Sequence, residues 1–232
     1  MKLKVLTPAI LGSFAILVVA SPSWSQGISN TQLPSENLKT DISSNIHIAQ
    51  TKQSRRYRGD FSQFLLKLGQ RETGQANPPY NIENRLGFIG KYQFGEALLI
   101  DLKYYQAQRY YNGGSNGVDK NYWRGSWTGK NGINSKADFL RNKNQVQERA
   151  IREAFKSKWS TITQQLSIKN YLGRSVGGVP ITCSGILAAA HLRGEYGVIN
   201  LLGSGTVSRD EFGTSILQYL KEFQGYDTPY CR

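Results

Sequence analysis

The stretch from Asp60 to Gly74 constrains the fold more tightly than any other part of the chain. Phe61, Phe64, Leu65 and Leu68 stand at i, i+3, i+4 and i+7, which is one face of an α-helix. Asp60, just ahead of them, carries a carboxylate able to accept the free N–H groups of a first turn, and Gly74 offers a left-handed stop. The spacing predicts a helix from about Asp60 to Glu72. Carried onward, the apolar stripe ends on Glu72, eleven residues after Phe61 and so close to three turns on. A carboxyl at the end of an apolar face is poorly solvated, and desolvation raises its pKa. Such a group can hold a proton near neutral pH and act as a general acid. It can equally cap the helix end or pair with Arg71 or Arg85.

Helical spacing recurs along the rest of the chain. Phe94, Leu98, Leu102 and Tyr105 give a stripe for a helix from about Tyr92 to Tyr110, closed by Asn112-Gly113-Gly114. Ser135 to Asp138 reads as a capping-box start. Ile151, Phe155, Trp159, Ile162 and Leu166 mark the core face of a helix over about Asn144 to Leu166. Thr182 caps a small-residue helix from Ile186 to about His191, which Gly194 to Gly197 breaks before a short helix near Val198 to Leu202. A last helix, Ser215 to Phe223, turns Ile216, Leu217, Leu220 and Phe223 inward. Residues 75–91 and 112–134 read as loops, and 171–181 as a loop or short hairpin. The expected architecture is mainly α: one globular domain of six or seven helices with little or no β, over residues 57–232.

The segments ahead of that domain read differently. Lys2 and Lys4 precede an apolar run from Ala9 to Ala20, and Ser23 and Ser25 put small residues at −3 and −1 of a cut before Gln26. That pattern makes residues 1–25 a signal peptide, with an uncleaved membrane anchor as the alternative, although the run is short for a span. Residues 26–56 are polar, without aromatic residues or periodicity, and read as a flexible linker in which His47 has no assigned role. The net charge is +13; residues 1–25 hold two of the lysines and none of the acids, which leaves +11 for the remainder. A basic exported protein suits an anionic envelope polymer, whereas the export signal argues against nucleic acid. Cys183 and Cys231 are the two cysteines of the chain. In an oxidising compartment two cysteines pair, here tying the C-terminus to a helix start. Free thiols are the alternative, and no His or Asp cluster accompanies the cysteines to make a metal site.

Three short segments resemble the signatures of lysozyme-like lytic transglycosylases: Glu72-Thr73-Gly74, then Gly90-Lys91-Tyr92-Gln93, then Ala189-Ala190-His191-Leu192-Arg193-Gly194. They stand in the family's order and span about residues 60–226. The resemblance implies a lysozyme-like domain in which Glu72 is the catalytic acid and the turn at Tyr92 and Gln93 binds sugar. His191 stands where the family has a tyrosine facing the acid, a departure that leaves its role open between chemistry and packing. Tyr122, Trp123 and Trp127, on a Gly-rich loop, are candidates for stacking on sugar faces or for packing the loop onto the domain. The export signal makes the expected location secreted or periplasmic; the chain is expected to be a monomer, and the resemblance implies that it needs neither metal nor cofactor. Its substrate is peptidoglycan or a related amino-sugar polymer, cut at the MurNAc-GlcNAc β-1,4 linkage to give 1,6-anhydro products. A hydrolytic, lysozyme- or chitinase-like enzyme and a non-catalytic wall-binding protein are the alternatives. An ordinary hydrolase would use a second carboxylate, for which Glu83, Asp101, Asp119 and Glu195 are candidates.

Overall fold

The structure is a computed structural model that describes residues 57–108 and 120–231. The export segment 1–25, the linker 26–56 with His47, the glycines Gly113 and Gly114, and Asp119 lie outside the described residues.

Helix α1 (Phe61–Thr73) begins and ends where its caps require. Asp60 Oδ1 accepts the Gln63 N–H at 2.9 Å, Gln63 Oε1 accepts the Asp60 N–H at 2.9 Å, and Gly74 closes the helix at φ +69°. Phe64, Leu65 and Leu68 are buried, and the Phe64 ring meets Phe155, Phe223 and Tyr226 at centroid distances of 5.7 to 5.9 Å. Among the described residues five further α-helices follow: α2 (Glu96–Asp101), α3 (Lys136–Leu140), α4 (Val146–Gln165), α5 (Cys183–Ser204) and α6 (Ile216–Glu222). Two two-stranded antiparallel sheets interrupt them, β1 (Tyr105–Gln106) with β2 (Ser126–Trp127) and β3 (Ser175–Val176) with β4 (Val179–Pro180). The domain is mainly α, as expected.

The centre is α5, which packs on both α4 and α6. Thr182 caps it, and Ser184 to Ala190 are all buried. Small residues let neighbours come close: a Cβ on Gly185 would stand 2.7 Å from the Leu220 carbonyl oxygen. The helix is bent at Arg193 and Gly194, the latter at φ +70° and ψ 171°, so the break expected there is a kink between two helical segments. Cys183, its first residue, is bonded to Cys231 with the Cα atoms 6.1 Å apart, inside the range a disulfide spans. Tyr230, next to Cys231, lies against Phe61 and Trp159. Among the described residues no helix is long and apolar enough to cross a membrane.

The largest departure from expectation lies in residues 92–106. In place of one long helix, only Glu96–Asp101 is helical. Ile89 and Phe94 pair as an antiparallel bridge around a tight turn in which Gly90 has φ +77° and Gln93 φ +49°. At the other end Lys103 takes φ +62°, which ends the helix and sends Tyr105 into β1. Phe94, Leu102 and Tyr105 are buried as the stripe requires. They reach the core from a turn, a helix end and a strand, so the helical spacing was coincidental.

One buried amide fixes that turn. Gln147, at the start of α4, is fully buried; its Oε1 accepts the Lys91 N–H at 2.8 Å, and its Nε2 donates to the carbonyls of Tyr80 at 3.0 Å and Phe139 at 2.8 Å. The amide fills the space that a Cβ on Gly90 would occupy. Gly90→Ala should therefore force a left-handed alanine and displace a satisfied buried amide, at a cost of about 2–3 kcal/mol. Urea unfolding of the variant measures it, and an unchanged midpoint would refute this account of the turn.

Candidate active site

Four elements bring their residues to one cavity of about 570 Å³, whose lining includes Glu72, Gln93, His191 and Tyr219. The last turn of α1 presents Glu72, the end of the first segment of α5 presents His191, the Ile89–Phe94 turn presents Gln93, and α6 presents Tyr219. Tyr219 Oη donates to Glu72 Oε1 at 2.8 Å, and His191 Nε2 lies 3.4 Å from the same oxygen. Both contacts fall on Oε1, so Oε2 has no protein partner among the described residues.

The electrostatics follow from burial. The Glu72 side chain is 14 % exposed, and desolvation pushes its carboxyl up from 4.5 to about 7, against the downward pull of the Tyr219 hydrogen bond and the Arg71 charge. Asp210 and Glu222 add to the rise by like-charge repulsion. His191 moves the other way: burial, with the Lys158 charge behind it, brings its imidazole down to about 3, while a hydrogen bond with the Tyr92 backbone opposes this. Burial therefore favours a neutral imidazole beside the Glu72 carboxyl.

Gln93 is half-buried, with its amide folded onto its own turn: Nε2 donates to the Gly90 carbonyl at 2.9 Å. Its amide oxygen has no partner among the described residues and is free to accept a hydrogen bond in the cavity. The helix after it starts at Glu96, so Gln93 caps nothing.

Comparison with protein-family models, curated proteins and solved structures returns no match.

The other candidates are placed elsewhere. Tyr92 is fully buried and its hydroxyl donates to Glu148 at 2.7 Å, so its ring belongs to the core behind the turn and offers no sugar-binding face. Glu148 also accepts from Lys91 Nζ and Tyr80 Oη, each at 2.8 Å; although burial raises its carboxyl, these bonds hold it below the ordinary range. The loop aromatics are not among the residues lining the cavity. Trp123 stacks on Trp127 at 5.9 Å and donates its indole N–H to the Gly87 carbonyl at 2.7 Å. Trp127 lies against Tyr105 and Phe139, so both tryptophans pack the loop onto the domain. Tyr122 is exposed, with the Arg124 guanidinium 4.5 Å over its ring. Of the possible second carboxylates, Asp101 lines the cavity, while Glu83 pairs with Lys136 and Glu195 with Lys158. Among the described residues no group of His, Cys, Asp and Glu could hold a metal ion.

Sequence reading passed over Tyr219, Asp210 and Glu211, all at the cavity. Tyr219 had a signal: with Ile216, Leu220 and Phe223 it stands at i+3 on the buried face of α6, and a buried tyrosine needs a partner for its hydroxyl. Tyr219→Phe should raise the Glu72 carboxyl further, because the lost bond is one that lowers it. The alkaline fall of any Glu72-dependent rate then moves to higher pH. A pH–rate profile shows this, and an unmoved limb would deny Tyr219 its hold on the carboxyl.

Proposed function

We propose that this domain cleaves the β-1,4-linked amino-sugar strands of peptidoglycan, with Glu72 as the single acid–base group. The supporting observation is a desolvated carboxyl, titrating at about 7, set in a cavity with one oxygen anchored by Tyr219 and the other unpartnered. Oε2 delivers the proton to the glycosidic oxygen, the C1–O bond breaks, and positive charge develops on the sugar ring. The resulting carboxylate then takes a proton from the sugar's own 6-hydroxyl, whose oxygen closes onto C1. Glu72 regains its proton, no water is consumed, and the product carries a 1,6-anhydro ring. Gln93 receives an amide or hydroxyl at the edge of the sugar, and neutral His191 stands beside Oε1 without competing for the proton.

Asp101 favours a second reading, hydrolysis. It lines the same cavity and has no partner among the described residues; in this reading it would activate a water. Mass spectrometry of the fragments released from purified cell wall separates the two, since an anhydro end is lighter than a reducing end by one water. Release of neither product would overturn both readings and leave a wall-binding role. The disulfide fits an oxidising compartment; with the export pattern of residues 1–25 we take the protein to be secreted or periplasmic, where its substrate lies.

A further inference from the structure

Six large apolar side chains stand exposed among the described residues, and of these Phe212 lines the Glu72 cavity. It is 55 % exposed, at the tip of a turn that is fixed from within. Asp210 Oδ1 accepts the N–H groups of Phe212 at 3.0 Å and Thr214 at 2.6 Å, Arg209 Nη1 donates to the Gly213 carbonyl at 2.9 Å, and Arg209 and Ser215 bridge across the base. Nothing in this bonding requires an aromatic ring at the tip. The facing wall is a second braced turn, in which Asn84 Oδ1 accepts the N–H groups of Leu86 at 2.8 Å and Phe88 at 3.1 Å. From it the Arg85 guanidinium reaches over the Phe212 ring at 5.0 Å, an exposed cation–π contact weak enough to exchange for a ligand.

We propose that Phe212 is the stacking platform for a pyranose ring of the bound glycan, the Arg85 guanidinium yielding the ring face to the sugar. This rests on the glycan-cleaving reading above and adds a recognition element to it. The polar lining, with Gln93, Asp101 and Asp210, suits any hydrophilic ligand. An apolar ring presented among such groups selects ligands that have polar edges and an apolar face, as amino sugars do. The three loop aromatics do not fill this role, because two are packed on the core and the third is outside the lining. Phe212 is carried on a rigid turn, so its ring is held in place before the glycan arrives.

Calorimetric binding of a soluble β-1,4-linked N-acetylglucosamine hexamer to the Glu72→Gln protein tests this without turnover. Adding Phe212→Ala should weaken binding roughly tenfold, and Phe212→Trp should restore it. The ring is exposed, so the melting temperature should not move. Phe212→Leu, which keeps an apolar side chain but removes the ring, should also bind more weakly and serves if the alanine variant folds poorly. Equal affinity for Phe, Leu and Ala at 212 would overturn the platform and leave the glycan reading standing. No binding of the hexamer by the Glu72→Gln parent would overturn the platform for a plain pyranose face, while the glycan reading stands or falls separately on the fragments released from cell wall.

Discussion

Glu72→Gln should abolish wall cleavage and at the same time make the protein more stable at pH 8. The amide keeps the shape of the carboxyl and cannot give up a proton, so the rate should fall by about 10²- to 10⁴-fold, the usual contribution of general acid catalysis. The stability gain follows from proton linkage. Glu72 titrates at about 7 in the fold against 4.5 ordinarily, so between those values the folded state holds a proton that the unfolded chain has lost. Its contribution is complete below about pH 4.5 and is lost as pH rises through 7. At pH 8 the wild type carries a buried carboxylate and the variant does not, a difference of about 3 kcal/mol. His191, brought down from 6.5 to about 3, has the opposite sign: its contribution is complete above 6.5 and fades as pH falls toward 3. Over the shared interval the two slopes oppose each other in the wild type. The variant keeps only the histidine slope, so its stability should climb across that interval. Chemical unfolding of both proteins from pH 4 to 8 measures this. A variant with no more advantage at pH 8 than at pH 4.5 would mean that Glu72 is well solvated. Retained wall cleavage would remove it from the chemistry.

Breaking the Cys183–Cys231 bond should cost up to about 4 kcal/mol, the chain-entropy value for a loop of this length, whose ends lie 48 positions apart. The bond pins the C-terminal tail, including Tyr230, to the first residue of α5, eight residues before His191. Reduction should therefore lower the melting temperature, and Cys231→Ser should reproduce the loss. Two reactive thiols in the unfolded, unreduced protein would refute the pairing. If stability is unchanged on reduction, the rings of Tyr230, Phe61 and Trp159 hold the tail without help from the bond.

Where the sequence states a local rule, the fold follows it. Asp60, Ser135, Thr182 and Ser215 each cap the helix they precede, because a side-chain oxygen at that position satisfies N–H groups that nothing else can reach. The paired cysteines were readable for a similar reason, since two thiols in an oxidising compartment have few alternatives. Residues 92–106 were not readable. Three apolar side chains arrive at helical spacing by three different backbone routes, and the positive φ values of Gln93 and Lys103 that separate those routes fall on residues that do not advertise them. At the site, Glu72 was legible because it ends a helix face that could be counted out, whereas His191 stood out through the Ala189–Gly194 segment and its resemblance rather than through any face. Tyr219 sat on an equally regular face but was concealed by it, since a tyrosine among leucines and isoleucines reads as core. Trp123 and Trp127 depart in the opposite direction: a Gly-rich loop reads as exposed, and these two rings are needed to hold it down, while Tyr122 beside them is exposed.

The Gly90–Gln147 contact has an evolutionary consequence. The amide that braces the turn exists only because position 90 has no Cβ, and the absent Cβ is tolerated only because the amide fills its place. Neither residue can drift alone, so the two should be inherited together. Distant relatives of this chain should be recognisable by a glycine and a glutamine held at long range, even where the short segments around Glu72 and His191 have diverged beyond recognition.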